Sequence, residues 1–560
     1  MNLVPLLVAI PLAGGFLMPI LGRLSVRGRS AAVLPILMAA AMLVLSVLLL
    51  ATPDAKTPPY WVGAWDFPVG ISLVADGLSK LLLVVINVIS LLALVFSLDY
   101  MARYTKPDLY YSLFMLMLAG MNGVVLAGDL FNLFVFLEVA AIASYALVAF
   151  GTEADELEAS MKYLVLGAIS SAFILIGIAV MYNVTGHLNW AKIAALVKAG
   201  GGPTLPVYLA AAFFLMGFGL KAAMVPFHAW LPDAHPSAPA PISAMLSGVL
   251  IKACGVYVLC RLVCSVFGGH EPFGMALLVL GVLSMVLGAL MAIGQSDLKR
   301  LLAYSSISQV GYVVLALGTG VIVLARWGGD PAMESLAFLA FFAGLFHLVN
   351  HAVFKGLLFL CSGSIEQATG TRRLSHLAGL GSKMPVTGWS LRAGALAISG
   401  IPPFGGFWSK LLIILALVRA GADVHWGFYV PAALAAATAV ITLAYYAKVQ
   451  RDVLGGDPSP AVMGARPAPR AMQVASVALA VLCLATALIV VPAVRVRLVD
   501  PAIHVLAGTA SGSVSAVVQA PAGAADSSVS ETPAVDQENA AARPADEPAP
   551  SMALVEREVP

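Results

Sequence analysis

From residue 3 to about residue 494 the chain alternates long apolar runs with short polar interruptions. A membrane-spanning helix needs roughly 20 mostly apolar residues. On that measure the pattern predicts about 14 spans: 3–21, 31–51, 76–98, 110–127, 130–150, 160–182, 205–225, 239–266, 273–293, 301–325, 335–361, 386–419, 428–449 and 471–494. The twelfth is too long for one simple span and carries Gly400, Ile401, Pro402 and Pro403 in its middle, so it is expected to break there. The seventh runs from Lys221 into Pro226, a second proline-interrupted helix. Each break has a lysine close by. The two therefore read as corresponding elements of two repeats, spans four to eight and nine to thirteen.

The expected organisation is 1–109 for the first three spans, 110–266 and 267–450 for the repeats, 451–500 for the last span and 501–560 for a tail. Residues 60–62 and 72–74 have strand character and predict a small hairpin on the outer face. The tail is rich in Ala, Pro, Ser and acidic residues with few aromatics. It cannot bury enough surface to offset its ordering entropy, so it is expected to be disordered and without chemistry.

Composition agrees with the spans. Of 560 residues, 60% are hydrophobic and 11% charged, against about a quarter charged in a soluble domain. The net charge of +2 is spread over short loops and gives no reason to expect nucleic acid. The five cysteines lie inside apolar runs without metal-ligand spacing, and they predict neither disulfides nor a metal cluster. The run 3–21 has no basic residue before it and Arg23, Arg27 and Arg29 after it. That is the reverse of a cleavable signal, and it predicts a first span with its N-terminus outside. With this topology one face receives sixteen Lys and Arg and the other nine. The richer face is then cytoplasmic, and both termini lie on the outer face.

With charges near span ends counted to the adjoining loops, four lysines are left inside spans: Lys221, Lys252, Lys355 and Lys410. Glu138 stands in the middle of the fifth span. Facing lipid, each charge would cost roughly 2.5–3.5 kcal/mol, so they must face protein or water and find partners. Lys221, near the end of its span, has room to snorkel; Lys252 and Glu138 do not, and a structural ion pair between two helices is the plain alternative for them. That alternative leaves the excess of lysines over acids unexplained. Buried lysine loses its proton readily, so a row of lysines at one depth is a row of titratable sites. His347, His351 and Lys355 add a stripe at i, i+4 and i+8 of the eleventh span. Two histidines a turn apart suit a metal, but no third ligand is in reach by sequence. A packed polar stripe and a proton relay remain, and imidazole suits the relay. Helix breaks at membrane depth line ion sites in transporters.

Several stretches, taken in order, resemble the antiporter-like subunits of respiratory complex I. They are 129–138, ending in Glu138; 221–235, from Lys221 to His235; 297–309; 347–355; and 399–410, ending in Lys410. The same family includes subunits of Mrp-type cation/proton antiporters and of membrane-bound hydrogenases. The resemblance covers spans three to thirteen. It implies an all-α polytopic membrane protein of about 14 helices with two inverted five-helix repeats, broken at spans seven and twelve. It also implies roles: Glu138 and Lys221 as the helix-five and helix-seven pair, Lys252 as the connecting lysine, His347, His351 and Lys355 as the central relay, and Lys410 as the terminal lysine. Pro226, Pro402 and Pro403 mark the breaks, and His228, Asp233 and His235 are accessory candidates. The wording of 131–145 resembles the D-type chain of the Mrp branch more than it does the usual complex I wording.

Three functions stay open. One is a proton-translocating subunit of a multisubunit Na+/H+ antiporter. Another is the pumping arm of an NADH-quinone oxidoreductase or a membrane-bound hydrogenase. The last is a non-conducting scaffold, against which the buried ionisable residues argue. No flavin, haem, iron–sulfur, nucleotide or metal site is legible. The expected partners are other membrane subunits, H+ with Na+ as a further candidate, and the lipid of a bacterial inner membrane.

Overall fold

The computed structural model describes residues 3–23, 30–65 and 70–508. Thirteen helices there are long and apolar enough to cross a membrane. Helices α1 (Leu6–Arg23) and α2 (Ser30–Ala51) are followed by a short antiparallel pair, β1 (Tyr60–Trp61) with β2 (Ser72–Leu73). Then come α3 (Gly77–Tyr100), α4 (Pro107–Leu126), α5 (Leu130–Val148) and α6 (Ala154–Thr185). A short helix α7 (Trp190–Ala199), which hydropathy did not reveal, precedes α8 (Leu205–Lys221) and α9 (Leu231–Ser237). The chain continues through α10 (Ala240–Val266), α11 (Glu271–Ile293), α12 (Leu298–Trp327) and α13 (Pro331–Thr369). It closes with α14 (Pro385–Ser399), α15 (Gly405–Asp423), α16 (Tyr429–Val449), α17 (Arg470–Ala485) and α18 (Asp500–Leu506). Counting α8 as the first half of a broken span brings the number of spans to the predicted 14. The hairpin also forms where its strand character indicated.

The expected tail does not start at residue 501. Helix α18 buries Ala502, Ile503 and Leu506, and Pro501 packs against Gly77 so closely that a Cβ there would have no room. Aliphatic residues at helical spacing give this segment an apolar face that its surrounding composition hides. Residues beyond 508 lie outside the described part.

Helix ends are set by local chemistry. Asp76, Asp129, Asp297 and Asp330 each accept a backbone N–H in the first turn of α3, α5, α12 and α13. Gly186 and Gly370 end α6 and α13 in the left-handed conformation.

These ends reveal an internal repeat. The Leu130 amide donates to the Leu188 carbonyl at 3.0 Å and the Trp190 amide to Gly128 at 3.2 Å. The same exchange recurs later, with Leu298 donating to Arg372 at 3.0 Å and Leu374 to Ser296 at 2.9 Å. Thr185 and Thr369 repeat one motif as well, each hydroxyl turning back to a carbonyl four residues earlier. The first exchange sits beside the β-hairpin, whose Ser72 carbonyl accepts from the Gly128 amide. The second lines a cleft at the other end of α5, shared with Glu153 and Glu158. One motif on two opposite faces is what an inverted repeat requires.

Both breaks occur where the prolines indicated. In the first, α8 stops at Lys221, Ala223 adopts φ 54°, and α9 begins at Leu231. The polar groups it frees are recovered. The Trp230 indole donates to the Leu220 carbonyl at 2.9 Å, and the Val225 amide donates to Ser284 at 2.9 Å. In the second, Gly400 at φ 78° ends α14 and α15 begins at Gly405. Helix α10 carries π-helical turns at Leu246–Leu250, Lys252–Val256 and Arg261–Val266, the irregularity that recurs at functional sites.

Candidate buried polar line

The first group forms where α5, α6 and α8 meet. Lys221 is the last residue of α8, and its ammonium lies 3.7 Å from the Glu138 carboxylate. It also donates to the Tyr145 hydroxyl at 3.3 Å and to Ser171 at 3.4 Å. Ser171 hydrogen-bonds Glu138 directly, so one hydroxyl joins both charges. Tyr145 is fixed by an edge contact with Tyr163, which in turn stacks on Trp230 in the break. Lys221 is buried, whereas the Glu138 side chain is 28% exposed.

Lys252 is fully enclosed in α10 and donates to the Ser247 carbonyl of the preceding π-helical turn. The Ser247 hydroxyl lies 2.7 Å from Ser306 on α12. Lys355 on α13 is equally enclosed. It donates to the Leu302 carbonyl at 2.6 Å and to the Ser305 hydroxyl, which touches Tyr446 at 3.0 Å. His351, one turn before Lys355 on α13, is fully buried, with no partner for either ring nitrogen among the described residues. Its strongest charged neighbours are Lys252 and Lys355.

One turn away, His347 is held from both sides, 2.9 Å from the Ser409 hydroxyl and 3.2 Å from the Gln309 side-chain oxygen. Ser409 adjoins Lys410 on α15. The Lys410 ammonium reaches back across the break to the Ile398 carbonyl at 2.7 Å and lies 5.2 Å from the centre of the Tyr312 ring. The polar residues thus gather as Glu138 with Lys221 at the first break, Lys252 inside α10, His351 and Lys355 on α13, and His347 with Ser409 and Lys410 at the second break. The serines, Gln309 and the tyrosines that join these stations are ordinary residues of apolar helices and gave no sequence signal.

The accessory candidates separate. Asp233 belongs to the surface cleft, where it pairs with Lys162 at 3.1 Å and with Arg300. His228 is in the first break, half-buried. His235 is fully buried, stacked on Phe359 at 4.4 Å, with neither ring nitrogen partnered among the described residues.

The structure corrects the assignment of Lys80, Arg261 and Lys299 to loops. All three are buried, at 2%, 6% and 1% exposure. Each is neutralised locally: Lys80 by Asp54 at 2.7 Å, Arg261 by both oxygens of Asp76, and Lys299 by Glu366 at 3.2 Å. Glu366 escaped notice because α13 runs to Thr369, well past the predicted end of its span.

Comparison with known proteins gives a consistent answer. The family described as NADH:quinone oxidoreductase/Mrp antiporter, TM, matches residues 127–435, more than half of the chain. The family described as NADH-ubiquinone oxidoreductase (complex I), chain 5 N-terminus, matches 61–118. The N-type membrane chain of the NADH-quinone oxidoreductase of Desulforudis audaxviator is 37% identical, over 81% of this chain and 87% of that protein. The D-type chain of the Na(+)/H(+) antiporter of Alkalihalophilus pseudofirmus is 35% identical, over 63% and 69%. Among solved structures, a chain of the Mrp complex from Dietzia sp. superposes with a TM-score of 0.78 at 27% identity, covering 91% of this chain and 99% of that one. A chain of the archaeal membrane-bound sulfane sulfur reductase gives 0.79 at 30%, covering 92% and 100%. This multi-pass membrane protein belongs to the NADH:quinone oxidoreductase/Mrp antiporter family of membrane subunits.

Proposed function

We propose that this chain is the proton-translocating subunit of a multisubunit Na+/H+ antiporter, the D-type chain of an Mrp assembly, in a bacterial inner membrane. The observation that carries the reading is the set of ionisable groups inside the spans, with the half-buried Glu138 paired to Lys221, then buried Lys252, His347, His351 and Lys355, and Lys410, the first and last lysines each standing beside a helix break. A proton resting on the Glu138–Lys221 pair would alter the field at Lys252, then at the histidines and Lys355, and last at Lys410. Moving the carboxylate away from Lys221 removes the charge that favours its protonated form, so the lysine releases its proton.

Partners follow from the same geometry. A carboxylate 28% exposed in the middle of a span would meet lipid unless another subunit covered it. The orientation with both termini outside is supported by Arg103, Lys162, Arg300, Arg372 and Arg373 lining one cleft, as the excess of basic residues on inner faces leads one to expect of the inner side.

A second reading is the pumping subunit of an NADH-quinone oxidoreductase. The observation favouring it is that the oxidoreductase relative aligns over 81% of the chain against 63% for the antiporter relative. Purification of the tagged chain with its native partners, followed by reconstitution and measurement of internal pH after a Na+ pulse, separates the two. Na+-driven pH change without redox subunits supports the antiporter. Stoichiometric flavin or iron–sulfur subunits and no Na+ response would replace it with the second reading.

A further inference from the structure

The cleft on the arginine-rich face has a volume of about 830 Å3, and its floor holds an ion cluster outside the polar line. Glu366, near the end of α13, lies 3.2 Å from the Lys299 ammonium and 3.3 Å from the Arg372 guanidinium. Both cations are shared. Lys299 also donates to the Ala238 carbonyl at 2.9 Å, and Arg372 donates to the Pro236 carbonyl. They thus hold the turn joining α9 to α10 from the cleft side. Asp297 fixes Arg372 from behind at 3.1 Å, and Tyr100, Arg103 and Tyr104 complete the charged and titratable surroundings of Glu366.

Directly behind that turn is His235, buried and unpartnered among the described residues. Its ring stacks on Phe359, and the Lys355 ammonium lies 5.9 Å from the centre of the same ring. Pro236, Ser237 and Ala238 line the cleft, whereas His235, adjacent in the chain, is buried behind them and shares Phe359 with the central lysine.

The internal repeat supplies an independent argument that the fold does not need these charges. Lys299 follows its capping aspartate as Phe131 follows Asp129. Glu366 gives its carbonyl to Gly370 as Tyr182 does to Gly186. Arg372 occupies the station of Leu188. The same junction is therefore built with Phe, Tyr and Leu on the opposite face.

We infer that Glu366, acting through Lys299 and Arg372, latches the 236–238 turn over His235 and so controls proton access from the cleft to Lys355. The inference rests on the proton-transport reading above. When Glu366 takes up a proton, Lys299 loses its carboxylate, Arg372 is left with Asp297 alone, and the turn loosens; when it is ionised, the turn closes. Glu366, Lys299 and Arg372 are positioning residues, and His235 receives the proton.

The test is labelling of a His235→Cys variant, in the purified complex, by a membrane-impermeant maleimide, with and without Glu366→Gln. Hydrogen exchange of the 231–240 segment, with His235 intact, is the parallel measurement. Glu366→Gln and Lys299→Gln are expected to raise both rates about tenfold, and Glu366→Asp to restore protection. Unchanged labelling and exchange in Glu366→Gln would overturn the latch. Faster labelling with proton flux unaltered by Glu366→Gln and by His235→Ala would overturn the inlet. Because labelling and exchange need no ion gradient, they report on the latch even if the complex proves not to transport protons.

Discussion

Ser171 of α6 and Lys355 of α13 occupy the same station in the two repeats, equally far upstream of the left-handed glycines Gly186 and Gly370. Their partners correspond too. Glu138 follows the cap Asp129 at the interval by which Ser306 follows Asp297. The contact of helix five with helix six is thus Glu138 with Ser171, and its counterpart places Lys355 against Ser305, beside Ser306. One junction carries its charge as an acid and the other as a base. The fold asks only for polar contact there; the sign of the charge is an addition.

Lys355→Ser therefore gives the second repeat the residue that the first already uses. The variant should assemble in normal amounts, since Ser305 and the Leu302 carbonyl keep a small polar partner in reach. Proton flux in reconstituted vesicles should fall at least tenfold. A variant that transports normally would show that Lys355 only fills space between α12 and α13.

Glu138→Ala and Lys221→Ala should each abolish transport. In Glu138→Ala the lysine stays buried but keeps Tyr145 and Ser171 as hydrogen-bond acceptors. The expected loss of stability is then about 1–3 kcal/mol, read as a lower melting temperature of an assembled complex. Full flux in either variant would remove the pair from the pathway.

The sequence shows the spans, both breaks and the residues of the polar line because each is an exception to a rule of the bilayer. A lysine in an apolar run, or a proline pair inside a span, stands out against its neighbours. Lys299, Arg261 and Lys80 did not, because each lies within about five residues of a span's edge, where a charge is ordinarily counted with the adjoining loop. Their burial depends on Glu366, Asp76 and Asp54, which are distant in sequence and meet them only in the folded chain. The π-helical turns around Lys252 and the short helix α7 likewise arise from packing, with no marker in the local residues.

Asp129 predicts a pH dependence on the hairpin side. Burial pushes its carboxyl from the ordinary 3.8 up to about 6, against the opposing effect of the Asn132 and Phe131 amides. The folded state then holds this proton more tightly than the unfolded chain does. Its contribution is fully present below 3.8 and is lost as pH rises towards about 6, so stability should decline across that window and level off above it. Asp129→Asn keeps a good helix cap and removes the titration. Thermal unfolding of the purified complex across this range should give a slope in the wild type that is reduced in the variant. An identical slope in both would place its origin elsewhere.

The second break supplies a steric prediction. Lys410 reaches the Ile398 carbonyl only because α14 and α15 approach closely where Gly406 faces Ala397. A Cβ on Gly406 would lie 1.9 Å from the Ala397 carbonyl oxygen, a contact that backbone on both sides prevents from relaxing. Gly406→Ala should therefore cost about 3 kcal/mol, at the upper end for overpacking, and it should pull Lys410 away from Ile398. Gly464→Ala is the matched control, with nothing within 4 Å of the added carbon and an ordinary φ of −88°. It should change stability by less than about 0.5 kcal/mol. Melting temperatures of the two variants, with proton flux measured beside them, decide the point. If Gly406→Ala were as stable and active as Gly464→Ala, the two half-helices would have to separate without consequence, and the break could not be what positions Lys410.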